Sequence, residues 1–245
     1  HRLLFLALHR LLGDRPFMKR GDALVVEVGG GGTRVLTLQD GIVTGSETFR
    51  LGALRVRETL DPEGDADRQA VAAVRRQIDR LIDQVRRSVP IRRAPHLVAV
   101  TGDLSEALIR ALWPDAEAGR PTLARALDAP AFLRASRVIE RSETELVRQF
   151  HLSLPEAAAA GPALLAQAAL ARAFRVKTVT LARVNLRLGL LVNEALRGAW
   201  PSLFSEQVIR SALALGGKYA FDRPHALHVT EMAVRLGSRR IKFNV

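Results

Sequence analysis

Four consecutive glycines, Gly29, Gly30, Gly31 and Gly32, stand between two apolar, β-branched runs at 23–28 and 33–38. Glycine tolerates positive φ and lets backbone N–H groups approach an anion without side-chain obstruction, so a glycine turn between strands suits phosphate. Two familiar glycine motifs do not fit. A GxxxxGK[ST] loop needs a lysine that is not here. A GxGxxG fingerprint needs glycine where Arg34 stands, and a helix where a strand follows. What remains is a hairpin whose residues 29–33 wrap a phosphate, set against a plain glycine-rich turn. Glu27 precedes the turn. Strand alternation puts it on one face with Val25 and Gly29, with Val26 and Val28 on the other. A carboxylate there could bind Mg²⁺ or orient a water, or be a lone polar residue at a strand edge.

Other constellations are weaker. Ser46, Ser105 and Ser142 lack nucleophile-elbow context, and no paired His/Cys spacing of a zinc site occurs. Asp61, Glu63, Asp65 and Asp67 lack the EF-hand pattern and read as a solvated loop. There are no cysteines, which excludes disulfides, thiolate metal sites and a cysteine nucleophile and fits a reducing, cytoplasmic setting.

The elements that must position the glycine turn follow from periodicity. Residues 1–12 have the leucine spacing of an amphipathic helix, closed by Gly13 and Pro16. Strands are expected at 23–28, 33–38 and 42–49, with a tight turn at Gln39, Asp40 and Gly41. They form an antiparallel meander. Helices are expected at 51–60 and 66–88, the latter with an apolar stripe of Val71, Val74, Ile78, Leu81, Ile82 and Val85 and its arginines mainly off it. A strand at 96–100, helices at 104–112, 121–127, 130–139, 143–150 and 155–173, a strand at 176–181 and a helix at 186–196 complete the α/β part. Residues 204–217 and 223–237 read as helical and separate, beyond a break near Pro201.

The net charge is +12, nearly all of the positive charge being arginine. This favours polyanions, although an arginine- and alanine-rich chain is also what a GC-rich coding bias produces. At 5% aromatic content the chain has little to stack bases on, so nucleic acid is not the expected partner. No stretch has the length of a membrane span.

Five segments in order carry a family resemblance. VVEVGGGGTRVL is similar to the VVDIGGGSTEL motif of the exopolyphosphatase/guanosine pentaphosphate phosphatase (Ppx/GppA) family, whose members have the actin-like ATPase fold. TFRLGALRVRE resembles that family's SLPLGAVRLTE, with Leu51, Gly52, Ala53, Arg55 and Glu58 in step. LVAVTGDLSEAL resembles the second phosphate loop at Thr101, Gly102 and Asp103. TVTLARVNLRLGLL resembles the LREGLL segment at Leu186, Arg187, Gly189 and Leu190. SALALGGKYAFDRPHALHVTEMA resembles the opening helices of the HD-like domain.

The resemblance implies an α/β fold, the second half of an actin-like ATPase (ribonuclease H-like) domain with a mixed sheet over 1–199. The start of an α-helical HD-like domain would follow over 200–245. It also implies that the chain, which opens on His1, is the latter part of a longer protein whose first half holds another phosphate loop and a catalytic glutamate.

For function it implies a phosphoanhydride hydrolase releasing terminal phosphate from polyphosphate or guanosine pentaphosphate, with Mg²⁺ at Glu27, and association into a homodimer. Glu27 and Glu58 would be catalytic. Gly29, Gly30, Gly31, Gly32, Thr33, Arg55, Thr101, Gly102 and Arg187 would hold phosphate. His225 matches a first metal-ligand histidine of the HD-like domain, or is a histidine packed at a helix start. Four positions depart from the pattern: Glu27 stands at the family's aspartate, Arg34 and Leu188 at glutamates, and Asp103 in the second loop. They favour the alternative, a catalytically weak or inactive regulatory protein that binds polyphosphate or an alarmone.

Overall fold

A computed structural model of the protein describes residues 2–53, 56, 68–88, 91, 95–101, 124–136, 143–196, 209, 212–213, 216–217 and 219–241. The chain divides into two compact units, 1–199 and 200–245.

The first unit is built on one six-stranded sheet. Its strands are β1 (Asp22–Val28), β2 (Thr33–Gln39), β3 (Ile42–Phe49), β4 (His96–Val100), β5 (Ala124–Asp128) and β6 (Thr178–Ala182), in the spatial order β3-β2-β1-β4-β6-β5. β1, β2 and β3 form the expected antiparallel meander, and β1, β4 and β6 run parallel. The β2–β3 turn has Asp40 and Gly41 at φ 50° and 78°, the two positive angles that a two-residue hairpin following the strand twist requires.

Among the described residues of this unit, the helices with defined bounds are α1 (Arg2–Leu12), α2 (Pro16–Lys19), α3 (Arg68–Ser88), α4 (Ala129–Ala135), α5 (Glu143–Phe150), α6 (Leu154–Ala173) and α7 (Leu186–Ala195). The parallel strands β1, β4 and β6 are buried on both faces, as parallel strands require, while the edge strands β3 and β5 are largely half-buried or exposed. Leu24, Val26, Val35, Leu97, Ala99, Val179 and Leu181 join a core with Val74, Ile78, Leu81 and Val85 of α3 and with the alanine-rich side of α6. Val25, Leu36, Leu38 and Val98 are equally buried on the opposite face. α1 packs on α7 so closely that a Cβ on Gly189 would lie 2.4 Å from the Leu3 carbonyl oxygen.

One expectation is overturned. Residues 121–127 read as a helix, yet residues 124–128 are β5, antiparallel to β6. Ala, Leu and Arg are good helix formers, but propensity is a weak preference beside an open sheet edge. The local signal for a break was Asp128. Its side chain accepts a hydrogen bond from Ala131 N at 2.6 Å and caps α4, which has Pro130 in its first turn. The expected helix at 104–112 lies outside the described residues, as does most of the one at 51–60, of which Ala53 and Val56 are described as helical.

His96, at the start of β4, is a largely buried titratable group. Its ring stacks on Phe17, centroids 3.8 Å apart and planes 4° from parallel, and its Nε2 is 2.7 Å from Thr180 Oγ1. Burial lowers its pKa from 6.5 to about 4. The folded protein therefore keeps His96 neutral where the unfolded chain would protonate it. Its contribution to stability is complete above pH 6.5 and is lost as the pH falls towards 4. The full effect is on the order of 3 kcal/mol. Denaturant unfolding at pH 7 and pH 4.5 should show this loss in the wild type and a shallower one in His96→Phe. Equal slopes would sink the assignment.

In the second unit, α8 (Arg223–Ile241) starts where Asp222 accepts a hydrogen bond from His225 N at 3.0 Å. His225 and His228 are exposed on α8. Among the described residues of the whole chain, no His, Cys, Asp or Glu cluster could hold a metal ion, and no helix is long and apolar enough to cross a membrane.

Candidate phosphate site at the carboxyl edge of the sheet

Because β1, β4 and β6 are parallel and adjacent, the segments that leave them emerge on one edge of the sheet. Open α/β sheets bind ligands at that carboxyl edge. The glycine loop follows β1, Thr101 follows β4, and residues 183–188 follow β6. Thr101 N donates to Ala182 O at 3.3 Å, which ties the second segment to the third. Asn185 caps α7 by accepting from Leu188 N at 2.9 Å, so the positive end of the α7 dipole is at the same edge.

The loop is held in place by the chain that leaves β3. Gly29 N donates to Gly32 O and Ala53 N to Gly29 O, each at 2.9 Å, and the buried Thr33 hydroxyl donates to Leu51 O. A Cβ on Gly32 would lie 2.8 Å from Phe49 O, and one on Gly52 would lie 2.1 Å from Gly30 O. The loop glycines are thus not needed for positive φ; among the described residues, the glycines with positive φ are Gly21 and Gly41, in other turns. They serve close approach. Gly31 faces open space, with nothing within 4 Å of its Cβ position. Among the described residues, the N–H groups of Gly30 and Gly31 have no hydrogen-bond partner. They are the donors an anion could take.

Glu27 sits at the end of β1, directly across from Arg34 in the β1–β2 ladder. Arg34 Nη1 donates to Glu27 Oε2 in a part-buried ion pair, while the buried Arg34 Nε has no acceptor. A cation therefore already occupies the near side of the carboxylate. Mg²⁺ takes about six oxygen ligands in a near-ideal octahedron. Glu27 bound to a guanidinium, without a second carboxylate grouped with it among the described residues, does not fit that ion.

Arg187 is exposed in the first turn of α7. The structure thus brings Glu27, the four glycines, Thr33, Thr101 and Arg187 to one edge. Glu58, Arg55 and Gly102, together with Asp103, lie outside the described residues.

One residue at this edge was not singled out from sequence. Gln167 of α6 is fully buried and donates from Nε2 to Val26 O at 3.2 Å and Val100 O at 3.3 Å. It joins the ends of β1 and β4 just before their loops diverge. The signal was a lone amide in the apolar run LLAQAAL, where an unpaired polar group would be costly.

No family model and no curated protein matches the chain. Solved structures do. A Ppx/GppA family member from Aquifex aeolicus matches with a TM-score of 0.62 at 17% identity, covering 82% of this chain and 63% of its own. An exopolyphosphatase from Cytophaga hutchinsonii matches at 0.63 and 14% identity, covering 79% and 62%. An exopolyphosphatase-like protein matches at 0.63 and 16%, covering 80% and 66%. The chain therefore has the fold of the Ppx/GppA structures, as the resemblance implied, and it spans 62–66% of the length of these three.

Proposed function

We propose that this chain is a Ppx/GppA-type phosphoanhydride-recognising domain, cytoplasmic, that binds terminal phosphates of polyphosphate or guanosine pentaphosphate and hydrolyses them weakly or not at all. The observation that carries this reading is the Glu27–Arg34 ion pair beside a glycine loop whose Gly30 and Gly31 N–H groups have no partner among the described residues. Backbone donors and a positively charged edge suffice to hold a phosphate. A carboxylate neutralised by a neighbouring guanidinium is a poor metal ligand and a poor base for water, because both roles need its free negative charge. Arg187 adds positive charge at the same edge.

A second reading, hydrolysis of terminal phosphate by a longer protein containing this chain, is favoured by the fold. Two of the matched structures are described as an exopolyphosphatase and an exopolyphosphatase-like protein, and about a third of their length lies outside the match. In that case the other wall of the cleft would supply the catalytic carboxylate. The two readings separate in one assay of the full-length protein. Binding of polyphosphate and guanosine pentaphosphate is measured beside phosphate release, with and without Mg²⁺. Saturable binding with release at the blank rate is expected. Mg²⁺-stimulated release would overturn the binding reading in favour of the hydrolase.

A further inference from the structure

A second basic cleft lies where the end of β3 meets α3. It has a volume of 640 Å³, within the range of about 300–1,000 Å³ usual for ligand sites. Its polar lining includes Arg50, Arg80, Arg87, Gln77 and Gln84. The side chains at 77, 80, 84 and 87 recur every three or four residues and so share one face of α3. Phe49 and Leu81 form an apolar floor. From sequence, the arginines of this helix lie mainly off its apolar stripe. The structure turns two of them, with Arg50 from the opposite wall, onto one cavity.

We infer that this cleft is a binding site for an internal stretch of a linear phosphate chain. Three observations carry the inference. First, none of the three arginines is ion-paired with a described residue, although Asp83 lies within one turn of both Arg80 and Arg87. Arg80 Nε donates to Arg76 O at 3.3 Å, which leaves its charge uncompensated. Three guanidiniums without a carboxylate partner among the described residues repel each other around one cavity, and a polyanion relieves that repulsion. Secondly, Arg80 and Arg87 are seven residues apart, about 10 Å along the helix. One phosphate does not span that distance, whereas several linked phosphates do. Thirdly, the cleft adjoins the glycine loop. Thr48, Phe49 and Leu51 line the cleft, and the same stretch seats the loop: a Cβ on Gly32 would be 2.8 Å from Phe49 O and 3.7 Å from Thr48 Cγ2. Among the described residues, the lining offers no exposed aromatic ring for a base to stack on, Phe49 being buried, so a phosphate chain suits it better than single-stranded nucleic acid. The choice of ligand class rests on the phosphate-binding reading of the glycine loop.

The test titrates orthophosphate, long-chain polyphosphate and single-stranded RNA of matched charge into the wild-type chain and two variants. R80Q/R87Q neutralises the helical wall with good helix formers. Gly31→Asp puts a carboxylate into the loop where there is room for it. Circular dichroism and thermal melting confirm that each variant folds. R80Q/R87Q should lose about tenfold or more in affinity for long-chain polyphosphate, the scale set by losing charge-assisted hydrogen bonds. Its affinity for orthophosphate should not change. Gly31→Asp should lose orthophosphate. If R80Q/R87Q binds long chains like the wild type, the cleft is not a phosphate-chain site, whatever the loop does. If Gly31→Asp changes nothing while R80Q/R87Q weakens long-chain binding, the loop reading fails and the cleft stands. RNA bound as tightly as polyphosphate, and weakened equally by R80Q/R87Q, would mark an unselective polyanion surface and overturn the inference.

Discussion

Replacing Gly52 with alanine should unseat the glycine loop and remove phosphate binding in a single step. The methyl group would lie 2.1 Å from Gly30 O, 2.4 Å from Gly31 C and 2.5 Å from Gly30 C. All three are backbone atoms, so no rotamer change relieves the contact. Either the loop or the 51–53 segment has to move. That movement strains the Ala53 N to Gly29 O hydrogen bond and the Thr33 hydroxyl bond to Leu51 O. Overpacking of this kind costs about 1–3 kcal/mol. For a unit of this size that lowers the melting temperature by about 2–12 °C. The loss of orthophosphate affinity should be larger than the stability change suggests, because the strained atoms belong to the residues whose N–H groups are free. Gly31→Ala is the control. Its Cβ meets open space, so melting should be unchanged. A Gly52→Ala protein with wild-type melting and wild-type phosphate affinity would show that the loop does not depend on this contact.

Gly52 illustrates how far the sequence could be read. The family resemblance singled it out, but the physical reason for glycine there is tertiary. The position adjoins a loop twenty residues earlier in the chain, and no local pattern reports that distance. The meander of β1, β2 and β3 was legible because alternation and turn residues are local signals. The carboxyl-edge arrangement needed the pairing of β1 with β4 and of β4 with β6, which joins segments some seventy to eighty residues apart. β5 has a helical composition, and the partner strand that makes it a strand lies fifty residues or more further on. The place of Gln167 is likewise tertiary. Its role is to satisfy two carbonyls from strands that its own helix merely covers. At the glycine loop itself, Glu27 and Arg34 both depart from the family pattern in the sequence. What it left unstated was that the hairpin register sets them opposite each other.

That opposition gives the second large effect. Replacing Arg34 with glutamate should convert a metal-indifferent site into one that responds to Mg²⁺. In the wild type, Glu27 and Arg34 face each other across β1 and β2 and form an ion pair. Arg34→Glu removes the pair and sets two carboxylates at the same spacing. Without a divalent cation the two charges repel, and directly opposed like charges destabilise a strand pair by about 0.2–1 kcal/mol beyond the loss of the ion pair. The variant should therefore melt below the wild type in a chelator. Two facing carboxylates are also a donor set that Mg²⁺ accepts, with waters completing its shell. Adding Mg²⁺ at about a hundred times its dissociation constant should then return about 2.7 kcal/mol, more than the substitution cost. The wild-type melting temperature should not respond to Mg²⁺, since a guanidinium already neutralises Glu27. The pair of melting curves separates two accounts of this site. If Mg²⁺ stabilises the wild type as much as Arg34→Glu, then Arg34 yields Glu27 to the metal and the ion pair is no barrier to hydrolysis. If only the variant responds, the exchange of a carboxylate for Arg34 is by itself enough to separate phosphate recognition from metal-assisted cleavage in this half of the cleft.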